Sequence, residues 1–138
     1  MLLEDQVVDA VVEHLKENGW SIHSFAHAHQ HGDDIVAVKG EDTLRVEAKG
    51  EGSSRPGTKR YGSTFTGNQV GSHIGVAVMR ALAWVSTGKD RAAVALPDNE
   101  HHRSRIKRVN AALRTVGIGV FWVDEAGTVE WDGPWPLA

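Results

Sequence analysis

The 138-residue chain has no cysteine. That excludes a disulfide framework and a thiolate metal site, and it permits a reducing cytoplasm, the compartment expected here. Long hydrophobic runs are also missing. No apolar stretch reaches the roughly 20 residues of a membrane span, so no membrane partner is expected. Glu4 and Asp5 stand where a secretory signal would carry a basic stretch ahead of an apolar core, so the N-terminus does not read as a signal peptide. There is no repeat, linker or low-complexity segment, and the length suits one domain over residues 1–138. An overall basic excess is absent too, the formal net charge being −3. The charges are nevertheless segregated. Asn99 to Val116 holds Arg103, Arg105, Lys107, Arg108 and Arg114 against Glu100 alone, while the first eighteen residues hold five acids against Lys16. Such segregation allows a positive face on an acidic protein. Taken alone, the basic stretch reads as a solvated helix face.

What is present centres on residues 32–50, GDDIVAVKGEDTLRVEAKG. Two apolar-rich runs, Ile35 to Val38 and Leu44 to Ala48, flank the polar turn Gly40-Glu41-Asp42, the pattern of a hairpin. Side chains alternate along a strand, so Glu47 and Lys49 project from one face. Asp34 sits at the mouth of the neighbouring strand. Two carboxylates suit a hard divalent cation such as Mg²⁺. A lysine beside it can serve a water, the equipment of metal-assisted phosphodiester hydrolysis.

Around this hairpin the elements fall in the order α-β-β-β-α-β-α-β. Leu2 to Asn18 is an amphipathic helix with Leu3, Val7, Val11 and Leu15 in its stripe, stopped by Gly19. Trp20 to His29 reads as a strand. On it His23, His27, His29 and His31 would share a face, at a spacing that matches no specific zinc pattern. Residues 50–67 form a long Gly/Ser/Thr-rich segment with Arg55, Lys59, Arg60 and Tyr61, suited to sequence-independent phosphate contacts. Asn68 to Ser86 is a second helix, apolar nearly all round. Arg91 to Leu96 is a buried strand, and one helix follows Pro97-Asp98-Asn99 as far as Val116. Val120 to Val123 is a further strand, and a short last strand ends at Trp131. The tail Gly133-Pro134-Trp135-Pro136 is expected to dock on the body.

With Asp34 and Glu47-Ala48-Lys49 in this order, the chain resembles the PD-(D/E)xK nuclease superfamily. The resemblance implies an α/β, restriction-endonuclease-like αβββαβ core, with a mixed central sheet flanked by helices and an extra C-terminal helix and strands. It implies a metal-dependent endonuclease that hydrolyses DNA phosphodiester bonds and leaves a 5′-phosphate, using Mg²⁺ with Mn²⁺ able to substitute. Asp34, Glu47 and the Ala48 carbonyl would hold the ion and Lys49 would serve the attacking water. Asp33 stands where the family has proline, which leaves either aspartate as the ligand; Asp34 is favoured because it leads directly into the apolar run. Gln69, in the first turn of the second helix, matches the glutamine that completes the site in many relatives, and His73 stands where many have tyrosine. Glu4 matches a first-helix acid that points at the metal in several families; otherwise it is a favourable charge at a helix N-terminus. His31, just before Asp34, is placed as an accessory phosphate donor. Small single-domain nucleases of the Holliday-junction-resolvase and Mrr-like kind are the nearest in pattern. Two alternatives stand beside this reading: a non-catalytic nucleic-acid-binding or interaction module of the same fold, and a nuclease acting on RNA. A homodimer is also expected, because cutting two strands takes two centres. Val76 and Trp84, with Trp122, Trp131 and Trp135, offer the apolar surface for it.

Overall fold

The computed structural model describes residues 1–27, 33–52 and 67–138. In chain order the elements are α1 (Glu4–Glu17), β1 (Ser21–Phe25), β2 (Ile35–Lys39), β3 (Asp42–Ala48), α2 (Gly67–Ser86), β4 (Arg91–Pro97), α3 (Glu100–Lys107), α4 (Asn110–Val116), β5 (Ile118–Val123) and β6 (Val129–Asp132). The six strands form one sheet in sequence order. β1, β2 and β3 pair antiparallel, β3, β4 and β5 pair parallel, and β6 closes antiparallel on β5. The chain is therefore α/β with a mixed central sheet. The parallel pairs are joined through helices, as parallel strands require.

Two apolar layers follow from strand alternation. Ile35, Ala37, Leu44, Val46, Ala48, Ala93, Ala95, Phe121 and Val123 face α1, whose Val7, Val8, Val11, Val12 and Leu15 are buried against them. Ala92, Val94, Leu96, Ile118, Val120 and Trp122 face the other way, toward Val70, Ile74, Ala77 and Ala81 of α2, Ile106 of α3 and Leu113 of α4. β4 is buried on both faces and reads as a continuous apolar run, as a central parallel strand should. Among the described residues no helix is long and apolar enough to cross a membrane.

Several sequence expectations need correction. The first strand stops at Phe25 and carries a register shift between Ile22 and Ser24. A bulge of this kind breaks the two-residue alternation, and His23 and His27 do not share a strand face. His23 is exposed on β1, and His27 lies beyond the strand, 2.8 Å from Asp9 of α1. His29 and His31 lie outside the described residues. Trp20 precedes the strand and is buried, its Nε1 donating to the Leu137 carbonyl at 2.8 Å. The third helix is two helices. Val109, at φ −125° and ψ 0°, leaves the helical region and starts α4 afresh; Ile106 of α3 and Leu113 of α4 both pack on the sheet. On α2, Leu82 is exposed together with Val76 and Met79.

The C-terminal aromatics pack within the chain, Trp131 and Trp135 remaining half-buried. Trp122 is buried. Trp131 lies flat over Gly119 and Gly133, where any Cβ would collide with its ring. Trp131 Nε1 donates to the Trp135 carbonyl at 2.9 Å, and Arg91 stacks on Trp135 at 4.6 Å. The tail docks as expected, with Leu137 buried.

Candidate metal centre at the end of strand β3

The β2/β3 register pairs Ile35 with Val46. Continued one residue outward, it sets Asp34 opposite Glu47. Opposed residues of an antiparallel pair share a face, and the two carboxyls are hydrogen-bonded to each other. Asp34 Oδ2 also accepts from the Ala48 amide at 2.8 Å. Lys49 Nζ lies 3.8 Å from Glu47 Oε2. Its own amide continues the parallel ladder by donating to the Ala95 carbonyl at 3.0 Å. Backbone pairing of β3 with β2 and β4, and the bond from the Ala48 amide to Asp34, thus hold acid, acid and lysine together.

Asp33, the other aspartate, goes elsewhere. It is ion-paired to Arg45, which also donates from Nε to Asp90 Oδ2 at 2.6 Å. Asp34 is therefore the aspartate beside Glu47.

Glu4 arrives from the opposite layer. α1 begins where the chain leaves β3, and the two backbones touch: a Cβ on Gly50 would run into Leu3 and Glu4. Glu51 fixes this crossing. Its amide donates to the Leu2 carbonyl and its Oε1 accepts from the Leu2 amide, both at 2.7 Å. Burial raises the Glu4 pKa to about 7; the charge of Asp34 adds to the rise and Lys49 opposes it. The pKa of Glu47, only 2% exposed, is pushed up by burial and then by Asp34, with Lys49 and Arg80 pulling the other way. In both, burial is the larger cause and the neighbouring Asp34 adds to it.

Arg80 of α2 is a member of this cluster that sequence reasoning missed. Its Nη1 is 3.3 Å from Glu47 Oε2 and its Nη2 3.7 Å from Asp33 Oδ1. The signal was there, since Arg80 is the one arginine in a helix without lysine, aspartate or glutamate. It also follows Gln69 by eleven residues and His73 by seven, spacings that keep one helical face.

Gln69 is half-buried in the first turn of α2, and His73 follows one turn later. His73 lies within electrostatic reach of His102, a second buried polar residue. Asn99 caps α3 by accepting from the His102 amide at 3.0 Å, and its amide nitrogen donates to Glu51 Oε2 at 2.8 Å. The Asn99 oxygen is thus an acceptor, so His102 Nδ1, 2.8 Å away, carries the proton. Burial lowers the His102 pKa to about 4. This chain of bonds ties the end of β3 to α3.

Of the expected site residues, Glu4, Asp34, Glu47, Ala48 and Lys49 come together. Arg55, Lys59, Arg60, Tyr61 and His31 lie outside the described residues. The third-helix cations are partly paired: Arg103 holds Asp98 at 2.7 and 2.9 Å and Glu130 at 2.6 Å. Among the described residues no three His, Cys, Asp or Glu side chains converge to cage a metal ion. The carboxylate pair is instead of the kind a backbone carbonyl and water must complete. No family model matches the chain, and no curated protein matches its sequence.

Proposed function

We propose that the chain is a metal-dependent endonuclease domain acting on DNA, with its centre at the end of β3. The observation that carries this is the Asp34–Glu47 carboxyl pair beside Lys49. Five acids, Glu4, Asp33, Asp34, Glu47 and Asp90, gather at this spot with three cations, Arg45, Lys49 and Arg80. Two carboxyls sharing a proton, with further acids around them, are the kind of donor set a hard divalent ion can take over. The residues therefore fit a hard cation. Asp34, Glu47 and the Ala48 carbonyl would hold Mg²⁺ or Mn²⁺, with Glu4 beside them. A bound ion supplies an acidified water and neutralises charge on the phosphoryl group. Lys49 orients the attacking water through its ammonium. Gln69 serves Lys49 or the substrate. The element order α1-β1-β2-β3-α2-β4 agrees with the restriction-endonuclease-like core that the motif implies.

The test is calorimetry and cleavage on one set of proteins. Wild type should take up Mn²⁺ and nick duplex or branched DNA. Asp34→Asn and Glu47→Gln should each lose both properties while melting cooperatively. DNA binding without Mn²⁺ uptake would replace this reading with a non-catalytic nucleic-acid-binding module. Cleavage of RNA in place of DNA would change the substrate and keep the centre.

A further inference from the structure

We propose that Arg80 is a substrate-binding catalytic residue of this centre, held on Glu47 until a divalent ion takes that carboxylate and then available to the scissile phosphate. The inference rests on the function proposed above. It starts from a contrast among the arginines. Arg103 grips Asp98 through two nitrogens at 2.7 and 2.9 Å, and Glu130 at 2.6 Å. Arg45 donates to Asp90 at 2.6 Å and pairs with Asp33. Those are tight structural pairs. Arg80 makes one long contact per carboxylate, 3.3 and 3.7 Å, and its side chain is 48% exposed. A planar guanidinium is built for two-point recognition of a carboxylate or phosphate, and here that capacity is unmet.

The partners of Arg80 do not depend on it. Asp33 has a closer partner in Arg45, which it shares with Asp90. Glu47 Oε2 also faces Lys49, and it is the group that would be claimed by a divalent ion. An ion on Glu47 therefore removes the main attraction that holds Arg80. The fold keeps the guanidinium close whatever it binds. Ala77 and Ala81, flanking Arg80 on α2, are fully buried against the layer containing Ala92 and Val94. These small residues bring the helix close to the sheet, so Arg80 reaches the β3 carboxylate from above while Lys49 reaches it along the strand. A phosphate at the carboxylate pair would thus meet cations from two elements, the arrangement that stabilises charge developing on a transferring phosphoryl group.

Arg80→Gln and Arg80→Lys test this, read by Mn²⁺ calorimetry without DNA, single-turnover cleavage and thermal melting. Removing a competitor for Glu47 should tighten Mn²⁺ binding in Arg80→Gln by about tenfold. Cleavage at saturating DNA and Mn²⁺ should fall about a hundredfold. Arg80→Lys keeps the charge and loses the fork, so its Mn²⁺ affinity should stay near wild type while cleavage drops about tenfold. Cleavage by Arg80→Gln within about twofold of wild type, or Mn²⁺ affinity unchanged or weakened, overturns the proposal and leaves Arg80 a structural ion pair. If Arg80→Gln does not fold, Arg80→Lys decides, and undiminished cleavage by it overturns the proposal. Absence of Mn²⁺ uptake by wild type overturns the metal centre itself, and Arg80 with it.

Discussion

Glu4 is an acid held where ionisation is costly, and that cost has a measurable sign. Its pKa rises from 4.5 to about 7 on folding, through burial and then Asp34. The folded state binds this proton more tightly than the unfolded chain. The associated stability is complete below about pH 4.5 and is lost as pH rises through 7. His102 acts oppositely: its pKa falls from 6.5 to about 4, so its contribution is lost as pH falls through that window. Comparing Glu4→Gln with wild type isolates the first effect. Without divalent ions, the difference in melting temperature should be small at pH 5 and should grow in favour of the variant by pH 8. Mg²⁺ should raise the wild-type melting temperature most at pH 8. A pH-independent difference would mean that Glu4 is not held against ionisation. At this scale the acid pair was legible in the sequence because it depends on local quantities, the alternation of β3 and the register of one hairpin. Arg80 was not read, because its role comes from where α2 crosses β3. Its isolation as the one arginine in an apolar helix was the available sign.

The crossing of α1 over the end of β3 is the element contact on which the proposed centre depends. It is possible only because Gly50 has no side chain, since a Cβ there would strike the α1 backbone at Leu3 and Glu4. Gly50→Ala should push the two elements apart and destabilise the protein by about 1–3 kcal/mol, the usual cost of overpacking. It should also weaken Mn²⁺ binding, because Glu4 moves with the start of α1. Urea unfolding and calorimetry on the same sample check both; a loss of stability with unchanged Mn²⁺ affinity would detach Glu4 from the site. Most elements were legible because each has a hydrophobic period and a stop: Gly19 after α1, Gly40 between β2 and β3, Gly117 at φ 88° after α4. The misread elements lack such marks. The β1 bulge shifts register with no glycine or proline to announce it. The α3/α4 break falls at Val109, whose backbone leaves the helical region with no glycine or proline to announce it.

Over the whole molecule, charge decides how a protein of net charge −3 meets a polyanion. Many of its described arginines are already paired. Arg45, Arg80, Arg91, Arg103 and Arg114 each face a carboxylate. A paired arginine brings little net attraction, and contacting a phosphate would break an existing bond. Within the basic run of residues 99–116, Arg103 and Arg114 are taken up in this way. The segment with Arg55, Lys59 and Arg60, outside the described residues, is the remaining sequence cluster adjacent to the proposed centre. Each phosphate contact releases counterions and steepens the fall of affinity with salt. Replacing Arg55, Lys59 and Arg60 together by glutamine should reduce the slope of log affinity against log salt by about two to three. Arg103→Gln should leave that slope unchanged, because its guanidinium is taken by Asp98 and Glu130, though it should lower thermal stability. Fluorescence anisotropy with a labelled duplex in Ca²⁺, across a salt series, reads both. A triple variant with the wild-type slope would remove that segment from the interface, and a shallower slope in Arg103→Gln would move the interface to α3.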